Sequence, residues 1–294
     1  NSAERAVSLN SGAAVYEALK SQNIDVVKID TKENLIAQLN QHDIDVAFIA
    51  LHGIGGEDGT IQGLLEFYGL PYTGSGVKAS AICMDKWRTK LIWQGLNLPT
   101  PNFVLAQAIN ELESFACDVG FPLMVKPALE GSSIGISKVK GESELSGAFD
   151  AAFNTGSPVL AEQFITGKEF TVAILNGKPL PAIQLKPANE FYDYDAKYKE
   201  GGSRHIVPAV ISQEIWDACM EFAVRAHEAL GCRGVSRTDF RWDESKGLAG
   251  LILLETNTQP GMTSTSLSPE QAQATGMSFP ELCHWMVEDA SCNR

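Results

Sequence analysis

The chain has 294 residues, of which 44% are hydrophobic, so it can bury substantial cores and is expected to form two or three domains. Its 23 basic and 36 acidic residues give a net charge of -13, which argues against a nonspecific polyanion binder and requires locally placed cations for any bound phosphate. The apolar runs fall far short of the roughly 18 residues of a membrane helix, and we see no signal peptide at the start of the sequence. The six cysteines form no CxxC pair or Cys/His cluster. We therefore expect a soluble, cytoplasmic protein with reduced thiols.

The first third of the chain alternates helical and extended patterns. Apolar spacing predicts helices over 11–20 and 60–68 and strands over 26–29 and 46–51, an alternation typical of a parallel α/β layer. The loop HGIGGEDG (52–59) follows the second strand directly, where open α/β sheets bind ligands, and is a candidate site by position alone. Because the sequence begins at Asn1 without Met and soon enters a helix, we expect an N-terminal piece to be missing.

The middle third predicts a small α+β unit. A helix over 78–94 leads to LPTP (98–101), whose prolines cannot continue a helix, and we place a domain boundary near Asp85. A strand over 123–126, a glycine turn, a helix near 142–153 and a strand over 159–164 follow. The predicted domains are 1–85, 86–169 and 170–294.

The last third is richer in strands. We predict strands over 170–175, 180–185, 235–242 and 251–257, with a helix over about 213–230 between the second and third. A polar, aromatic stretch between Pro187 and Pro208 has little periodicity, and a loop of this length inside a compact domain is usually functional or disordered.

Four polar residues on two of these strands form a candidate metal site. Residues two apart on a strand share a face, so Arg237 lies beside Asp239, and Glu255 lies beside Asn257. If the two strands are hairpin neighbours, one surface carries two carboxylates, an amide oxygen and a guanidinium, which suits Mg²⁺ and a phosphate. A solvated sheet face with a salt bridge is an equally good interpretation of the spacing alone.

A second candidate is the turn EGSSIG (130–135) after Lys126, where glycines let the backbone approach a phosphate and serines donate to it. Such a turn is more often only a turn, in about two of three cases by turn chemistry. It matches neither the Walker A pattern nor GxGxxG, which disfavours a P-loop kinase and a Rossmann dehydrogenase. The turn GSSIG (131–135) does match the spacing GxSxG, but no predicted helix follows it directly as a nucleophile elbow requires, so a triad hydrolase is set aside.

Two further segments have weak signals on their own. Lys86 lies in a helical pattern, where a lysine is usually only solvated. The segment EQFI (162–165) closes an apolar strand and could present backbone groups and an apolar wall to a purine, although a strand running to the surface explains it equally well.

Short motifs occur in a specific order along nearly the whole chain. They are SAER (2–5), LHG (51–53) with GGEDG (55–59), PYTGSG (71–76), MDK (84–86), VKP (125–127) with EGSS (130–133), FYDY (191–194) with KY (197–198), and ETNT (255–258) with PGMT (260–263). Together they resemble the D-alanine-D-alanine ligase family of the ATP-grasp superfamily.

The resemblance implies an α/β and α+β ATP-grasp fold, in which an N-terminal parallel α/β domain precedes two α+β subdomains that clasp ATP. It implies an enzyme of peptidoglycan precursor synthesis that phosphorylates a first D-alanine with ATP and joins it to the amine of a second D-alanine. It further implies two Mg²⁺ or Mn²⁺ ions, a homodimer, and no nucleic acid or membrane partner.

The resemblance also implies roles for single residues. Glu4 would receive the first ammonium and, with Ser132 and Tyr198, close the long loop, while Arg237 and the Gly261 N–H would stabilise the tetrahedral oxyanion. The substrate-binding residues would be His52, Lys197, Ser266 and Leu267, the last two for the second carboxylate. ATP would be held by Lys86, Lys126, Ser133, Glu162, Phe164, Ile165, Glu169 and Phe191, and the metal ions by Asp239, Glu255 and Asn257.

Two points stay open. The family normally has a first strand and a Gly-Gly turn before the SAER segment, and this sequence lacks both, so we expect the first domain to lack that strand. The alternative functions are another ATP-grasp ligase, such as a D-alanine-D-lactate type, and a nucleotide-binding regulator that has lost catalysis. Arg237 and the metal set disfavour the regulator, and Lys197-Tyr198 matches the D-alanine-specific members.

Overall fold

The computed structural model of the chain describes residues 2, 4–131, 135–187 and 203–293. Three helices open the fold: α1 (Arg5–Ser21), α2 (Leu35–Gln41) and α3 (Thr60–Tyr68). The helix predicted over 60–68 is confirmed. It begins after Gly59 and ends before Gly69, whose φ values of 90° and 68° are ones that glycine adopts readily. The helix predicted over 11–20 is longer and begins at Arg5, and α2 was not predicted.

The strands predicted over 26–29 and 46–51 are wrong. In the described part of this region, the extended backbone forms only isolated bridges, a parallel one between Ala47 and Tyr72 and an antiparallel one between Tyr72 and Ser291. A strand requires a neighbouring backbone for its N–H groups, whereas the N–H of Ile49 here donates to the Thr73 hydroxyl at 3.0 Å. Side chains therefore satisfy donors that a ladder would otherwise use.

The single helix predicted over 78–94 is also wrong, because the backbone breaks at Asp85. Two helices replace it, α4 (Val77–Met84) and α5 (Lys86–Gly95). Asp85 has extended dihedral angles, and its carboxylate accepts the Arg88 N–H at 2.9 Å as an N-cap. This break sets the start of α5 and fixes the direction of Lys86, its first residue.

A four-stranded antiparallel sheet with two covering helices forms the middle of the chain. Its strand order is β1-β4-β2-β3. The strands are β1 (Phe103–Ala106), β2 (Leu123–Pro127), β3 (Ser137–Val139) and β4 (Val159–Gln163), and the helices are α6 (Ile109–Val119) and α7 (Leu145–Phe153), the latter after a 3₁₀ turn over Glu142–Glu144. The predictions over 123–126, 142–153 and 159–164 are confirmed within about two residues, whereas β1, β3 and α6 were not predicted.

A larger antiparallel sheet follows, with strand order β10-β9-β5-β7-β8 and β6 beside β5. The strands are β5 (Lys168–Leu175), β6 (Lys178–Pro179), β7 (Ile183–Pro187), β8 (Ser203–Ile206), β9 (Val235–Trp242) and β10 (Leu251–Asn257), and the helices are α8 (Gln213–Leu230), α9 (Leu267–Ala274) and α10 (Phe279–Asp289). The predictions over 213–230, 235–242 and 251–257 are confirmed at both ends, and the strand predicted over 180–185 lies at β7 instead.

Strand β5 carries cores on both of its faces. Phe170, Val172 and Ile174 pack towards α8, and Ala173 and Leu175 pack in a second core shared with α1 and α10. This alternation is the period of two expected for a strand, and it brings α1 of the first third against the large sheet. Within the described residues, no helix is long and apolar enough to cross a membrane.

Candidate active site

A pocket of about 470 Å³ lies where α1, the loop 52–59, α5 and the end of β10 meet. Its lining brings together nine of the predicted site residues from distant parts of the chain. They are Glu4, His52, Lys86, Arg237, Glu255, Asn257, Gly261, Ser266 and Leu267.

The Glu4 carboxylate lies in a space that only glycines leave open. Glu4 precedes α1 and is 6% exposed. A Cβ atom on Gly53 would come 2.5 Å from its Oε2, and one on Gly131 would come 2.8 Å from the same oxygen. Gly53 also has φ of 74°, which side chains rarely adopt. Two glycine loops therefore hold this carboxylate at the pocket wall.

His52 has hydrogen-bond partners at both ring nitrogens. Its Nε2 lies 2.9 Å from the Ser11 hydroxyl, and its Nδ1 lies 3.2 Å from Glu57 Oε1. Its backbone N–H donates to the Ser8 hydroxyl at 2.9 Å. The ring is 6% exposed, so these contacts fix its orientation in the pocket wall.

A buried carboxylate holds two lysines next to the pocket. Glu162 Oε1, on β4, lies 2.9 Å from Lys126 Nζ on β2 and 3.1 Å from Lys90 Nζ on α5. Lys90 is fully buried and also donates to the Leu254 carbonyl oxygen at 3.0 Å. Sequence reasoning missed Lys90, although it stands four residues after Lys86 and thus on the same helix face.

Burial and ion pairing act in opposite directions on these groups. Burial lowers the pKa of Lys90 to about 8, against the attraction of Glu162. For the Glu162 carboxyl, burial would raise the pKa, but the ammonium groups of Lys126 and Lys90 outweigh it and the pKa lies below its usual value. Glu162 is therefore a charged counter-ion at neutral pH.

Lys86 lines the pocket and stands one helical turn before Lys90 of this cluster. Its ammonium donates to the Glu130 carbonyl oxygen at 2.6 Å and lies 3.9 Å from Glu255 Oε2. Because Glu130 begins the glycine-serine turn and Glu255 lies on β10, the ammonium links the two elements that were predicted to meet ATP.

The predicted hairpin face is confirmed. Asp239 pairs with Glu255, and Arg237 pairs with Asn257, in the β9–β10 register. The Arg237 guanidinium makes two bonds of 2.8 Å to Asp239, and Asn257 Nδ2 donates to the same carboxylate at 3.2 Å. The salt bridge of the alternative interpretation is thus present. In the described residues, no group of three or more His, Cys, Asp or Glu side chains is arranged for a metal, so the candidate set rests on two carboxylates and one amide.

Three of the residues predicted to hold ATP, Phe164, Ile165 and Glu169, gather around Arg241, which sequence reasoning missed. Its guanidinium donates to Glu169 Oε2 at 3.1 Å and to the Ile165 carbonyl oxygen at 3.2 Å. The guanidinium also lies 5.2 Å from the ring centroid of Phe164, and the ammonium of Lys138 on β3 lies 4.0 Å from the same centroid. Arg241 is two residues after Asp239 and so shares its face of β9, which is the signal that could have found it.

At the other end of the pocket, the chain turns into α9. Ser266 is the residue before the helix, and its hydroxyl accepts the Thr263 N–H at 3.1 Å. His205 on β8, whose position could not be assigned from the sequence, lines the pocket and its Nδ1 lies 2.6 Å from Glu270 Oε2 on α9. The contact between His205 and Glu270 was not predicted because it depends on the packing of β8 against α9.

The remaining predicted residues lie elsewhere. Asp239 contacts the pocket residues Arg237 and Asn257 but does not line the pocket. Lys126 and Glu162 do not line the pocket either. Ser132, Ser133, Phe191, Lys197 and Tyr198 lie outside the described residues.

Comparisons with known proteins match both parts of the chain to one family. Residues 92–288 match the family model described as D-ala D-ala ligase C-terminus, and residues 30–75 match the one described as D-ala D-ala ligase N-terminus. The chain is 50% identical over 293 residues to the D-alanine-D-alanine ligase of Roseobacter denitrificans, an alignment that covers 100% of this chain and 90% of the relative.

Solved structures give the same result. The D-alanine-D-alanine ligase from Bacillus anthracis superposes with a TM-score of 0.85 at 34% identity, covering 98% of this chain and 94% of that chain. A structure of the ligase from Bacillus anthracis complexed with ATP gives 0.84 at 31% identity, again over 98% and 94% of the chains. The predicted α/β ATP-grasp fold is confirmed.

Proposed function

We propose that this chain, which belongs to the D-alanine-D-alanine ligase family, joins two D-alanine molecules into D-alanyl-D-alanine with conversion of ATP to ADP and phosphate. The observation that carries this proposal is the pocket in which Glu4, Arg237 and Glu255 meet, since it pairs an anionic group for an ammonium with a cation for a carboxylate or phosphate. The product would serve peptidoglycan precursor synthesis.

In the proposed reaction, a carboxylate oxygen of the first D-alanine attacks the γ-phosphorus of ATP, and ADP leaves. The amine of the second D-alanine then attacks the carbonyl carbon of the acylphosphate, and phosphate leaves. Neither step needs a covalent bond to the protein, so its task is to position substrates and stabilise charge.

Lysines at the cluster support phosphate binding. Lys86 and Lys126 are both less than a tenth exposed, and the ammonium of each lies within 4 Å of a carboxylate oxygen. In this proposal Lys86 and Lys126 bind the ATP phosphates. Phe164, Ile165 and Glu169, together with Glu162, hold the adenosine. Ser133 and Phe191 keep the ATP-binding roles that the sequence predicts.

The hairpin face supports Mg²⁺ binding. Asp239, Glu255 and Asn257 offer only oxygen ligands that a hard cation prefers, once the Asn257 amide presents its oxygen. The two hydrogen bonds from Arg237 orient the Asp239 carboxylate. When bound, two Mg²⁺ or Mn²⁺ ions would neutralise phosphate charge.

The pocket wall supports the substrate roles. Glu4, with His52 nearby, would receive the ammonium of the first D-alanine, and Arg237 with the Gly261 N–H would stabilise the tetrahedral oxyanion. Ser266 and Leu267 stand at the beginning of α9, where backbone N–H groups favour a carboxylate such as that of the second D-alanine. Ser132, Tyr198 and Lys197 remain proposed for loop closure and substrate binding.

Product identification tests the proposal. The chain is incubated with ATP, Mg²⁺ and D-alanine, D-lactate or both, and ADP, phosphate and condensed products are quantified. We expect phosphate release that depends on D-alanine and a dipeptide that exceeds the depsipeptide near neutral pH. Comparable yields of both products would favour the D-alanine-D-lactate type, and ATP binding without turnover would favour the regulator. We further propose that the protein is cytoplasmic and that it forms a homodimer. Equilibrium sedimentation, which measures the mass of the assembly, would test the homodimer.

A further inference from the structure

A buried chain of hydrogen bonds runs from the loop 52–59 to the backbone after β10. Glu57 Oε1 lies 3.2 Å from His52 Nδ1, and His52 Nε2 lies 2.9 Å from the Ser11 hydroxyl. The Ser11 hydroxyl in turn accepts the backbone N–H of Met262 at 3.3 Å. Ser11 is 1% exposed and Met262 is 3% exposed, so water does not compete for the bond between them.

The chemistry of the groups gives this chain a direction. A backbone N–H can only donate, so Ser11 Oγ is the acceptor towards Met262. At the other end the Glu57 carboxylate can only accept, so His52 Nδ1 donates to it and, in the neutral ring, Nε2 is the acceptor of the Ser11 proton. One tautomer thus satisfies every bond, and both ring nitrogens of His52 are used within the protein.

The end of the chain lies next to the proposed oxyanion site. Met262 directly follows Gly261, and its side chain packs with Val15 of α1 and Leu282 of α10. On the other side, a Cβ atom at Gly261 would come 3.0 Å from the Ser266 hydroxyl, so the backbone there has little room to move. The Ser11 bond is the polar contact that ties this backbone to the N-terminal helix.

We propose that Ser11 is a positioning residue for the ligation step: oriented by His52 and Glu57, its hydroxyl fixes the Gly261–Met262 backbone and thereby the Gly261 N–H. This inference rests on the proposed function. Misplacement of the N–H slows attack on the acylphosphate more than it slows acylphosphate formation, because the tetrahedral oxyanion exists only in the second step. Water then consumes more of the acylphosphate, and ATP turnover becomes uncoupled from dipeptide formation.

The test compares Ser11→Ala with a matched control, Ser80→Ala. Ser80 is also fully buried and its hydroxyl donates to a backbone carbonyl oxygen, that of Ser75 at 3.3 Å, but it does not line the pocket. We expect Ser11→Ala to lower kcat for dipeptide about tenfold, to raise the ratio of phosphate to dipeptide, and to leave the KM for ATP within twofold. A merely structural serine would change stability without changing that ratio. If Ser11→Ala does not fold, Ser11→Cys keeps the volume and weakens the bond, with the same expectation.

A second measurement does not depend on activity. Amide hydrogen exchange at Met262, followed by mass spectrometry, should be faster in Ser11→Ala than in Ser80→Ala. Equal exchange together with an equal phosphate-to-dipeptide ratio overturns the role of Ser11. Absence of dipeptide from the unaltered chain would instead refute the proposed function, and with it the catalytic part of this inference, whatever the exchange result.

Discussion

Replacement of Lys90 by methionine tests whether the buried charge cluster is held by ion pairing. Lys90 is fully buried, and its ammonium lies 3.1 Å from Glu162 Oε1, 3.0 Å from the Leu254 carbonyl oxygen and 3.2 Å from the Thr100 hydroxyl. Methionine has a similar length but can make none of these contacts. We therefore expect Lys90→Met to destabilise the protein without leaving a cavity.

The magnitude follows from the partners that remain. Removal of one member of a buried ion pair costs about 3–5 kcal/mol, and an unsatisfied carbonyl oxygen costs about 1 kcal/mol. Glu162 keeps Lys126 at 2.9 Å, and burial already lowers the pKa of Lys90 to about 8, so part of the cost is recovered. We expect the free energy of unfolding to fall by about 2–4 kcal/mol.

Urea unfolding monitored by tryptophan fluorescence measures this change, because the buried ring of Trp93 lies 5.8 Å from the Lys90 ammonium. The control is Lys168→Met, which breaks an exposed pair with Glu244 worth about 0–1 kcal/mol. The double variant Lys90→Met, Glu162→Gln should lose less stability than the two single variants summed. If Lys90→Met costs no more than the control, the cluster is not held by this pair.

Three further changes test the site and the fold. Glu255→Gln should leave the unfolding midpoint unchanged but lower turnover about 100-fold at limiting Mg²⁺, since an amide is a poorer ligand; full turnover there removes Glu255 from the metal set. Gly131→Ala should raise the KM for D-alanine several-fold and that for ATP little, because the new Cβ would come 2.8 Å from Glu4 Oε2; an unchanged D-alanine titration contradicts this. Burial, and to a lesser extent the positive charge of Arg233, lowers the pKa of His227 from 6.5 to about 4. Between these two pH values the unfolded chain binds a proton at His227 and the folded chain does not, so about 3 kcal/mol of stability is lost as pH falls from 6.5 to 4. His227→Gln should flatten that part of a urea midpoint against pH profile, and superimposable profiles would refute the assignment.

The parts predicted best from sequence are those with strong local signals. Strands β9 and β10 were predicted to the residue because apolar alternation marks both of them. The pairing of Asp239 with Glu255 depends on a register shift between Leu253 and Glu255, without which Asp239 would stand opposite Leu254. Helix α8 was predicted because Ser212 caps it and Gly231 ends it, with φ of 69°. The two strands could therefore be predicted from the sequence, whereas the register shift that brings Asp239 opposite Glu255 has no local signal.

The parts that were missed depend on contacts between distant segments. Nothing local distinguishes 46–51 from a strand. The backbone pairing at Ala47 is interrupted by a distant residue, because the next N–H on that side, from Ile49, donates to the Thr73 hydroxyl. A lysine in a helix is usually solvated, and Lys90 is buried only because β4 and β10 pack against α5. His205 could not be assigned because its partner Glu270 is 65 residues away.

These contacts explain how a chain of net charge -13 can hold a polyphosphate. Lys126 has Glu162 beside it, and Arg237 has Asp239. An unpaired buried lysine tends to lose its proton, as the pKa of about 8 at Lys90 indicates even with Glu162 nearby. The carboxylates orient the Lys126 and Arg237 side chains and offset their positive charge within the fold. The cations can then attract phosphate locally, while the acidic surface of the whole protein discourages nonspecific polyanions.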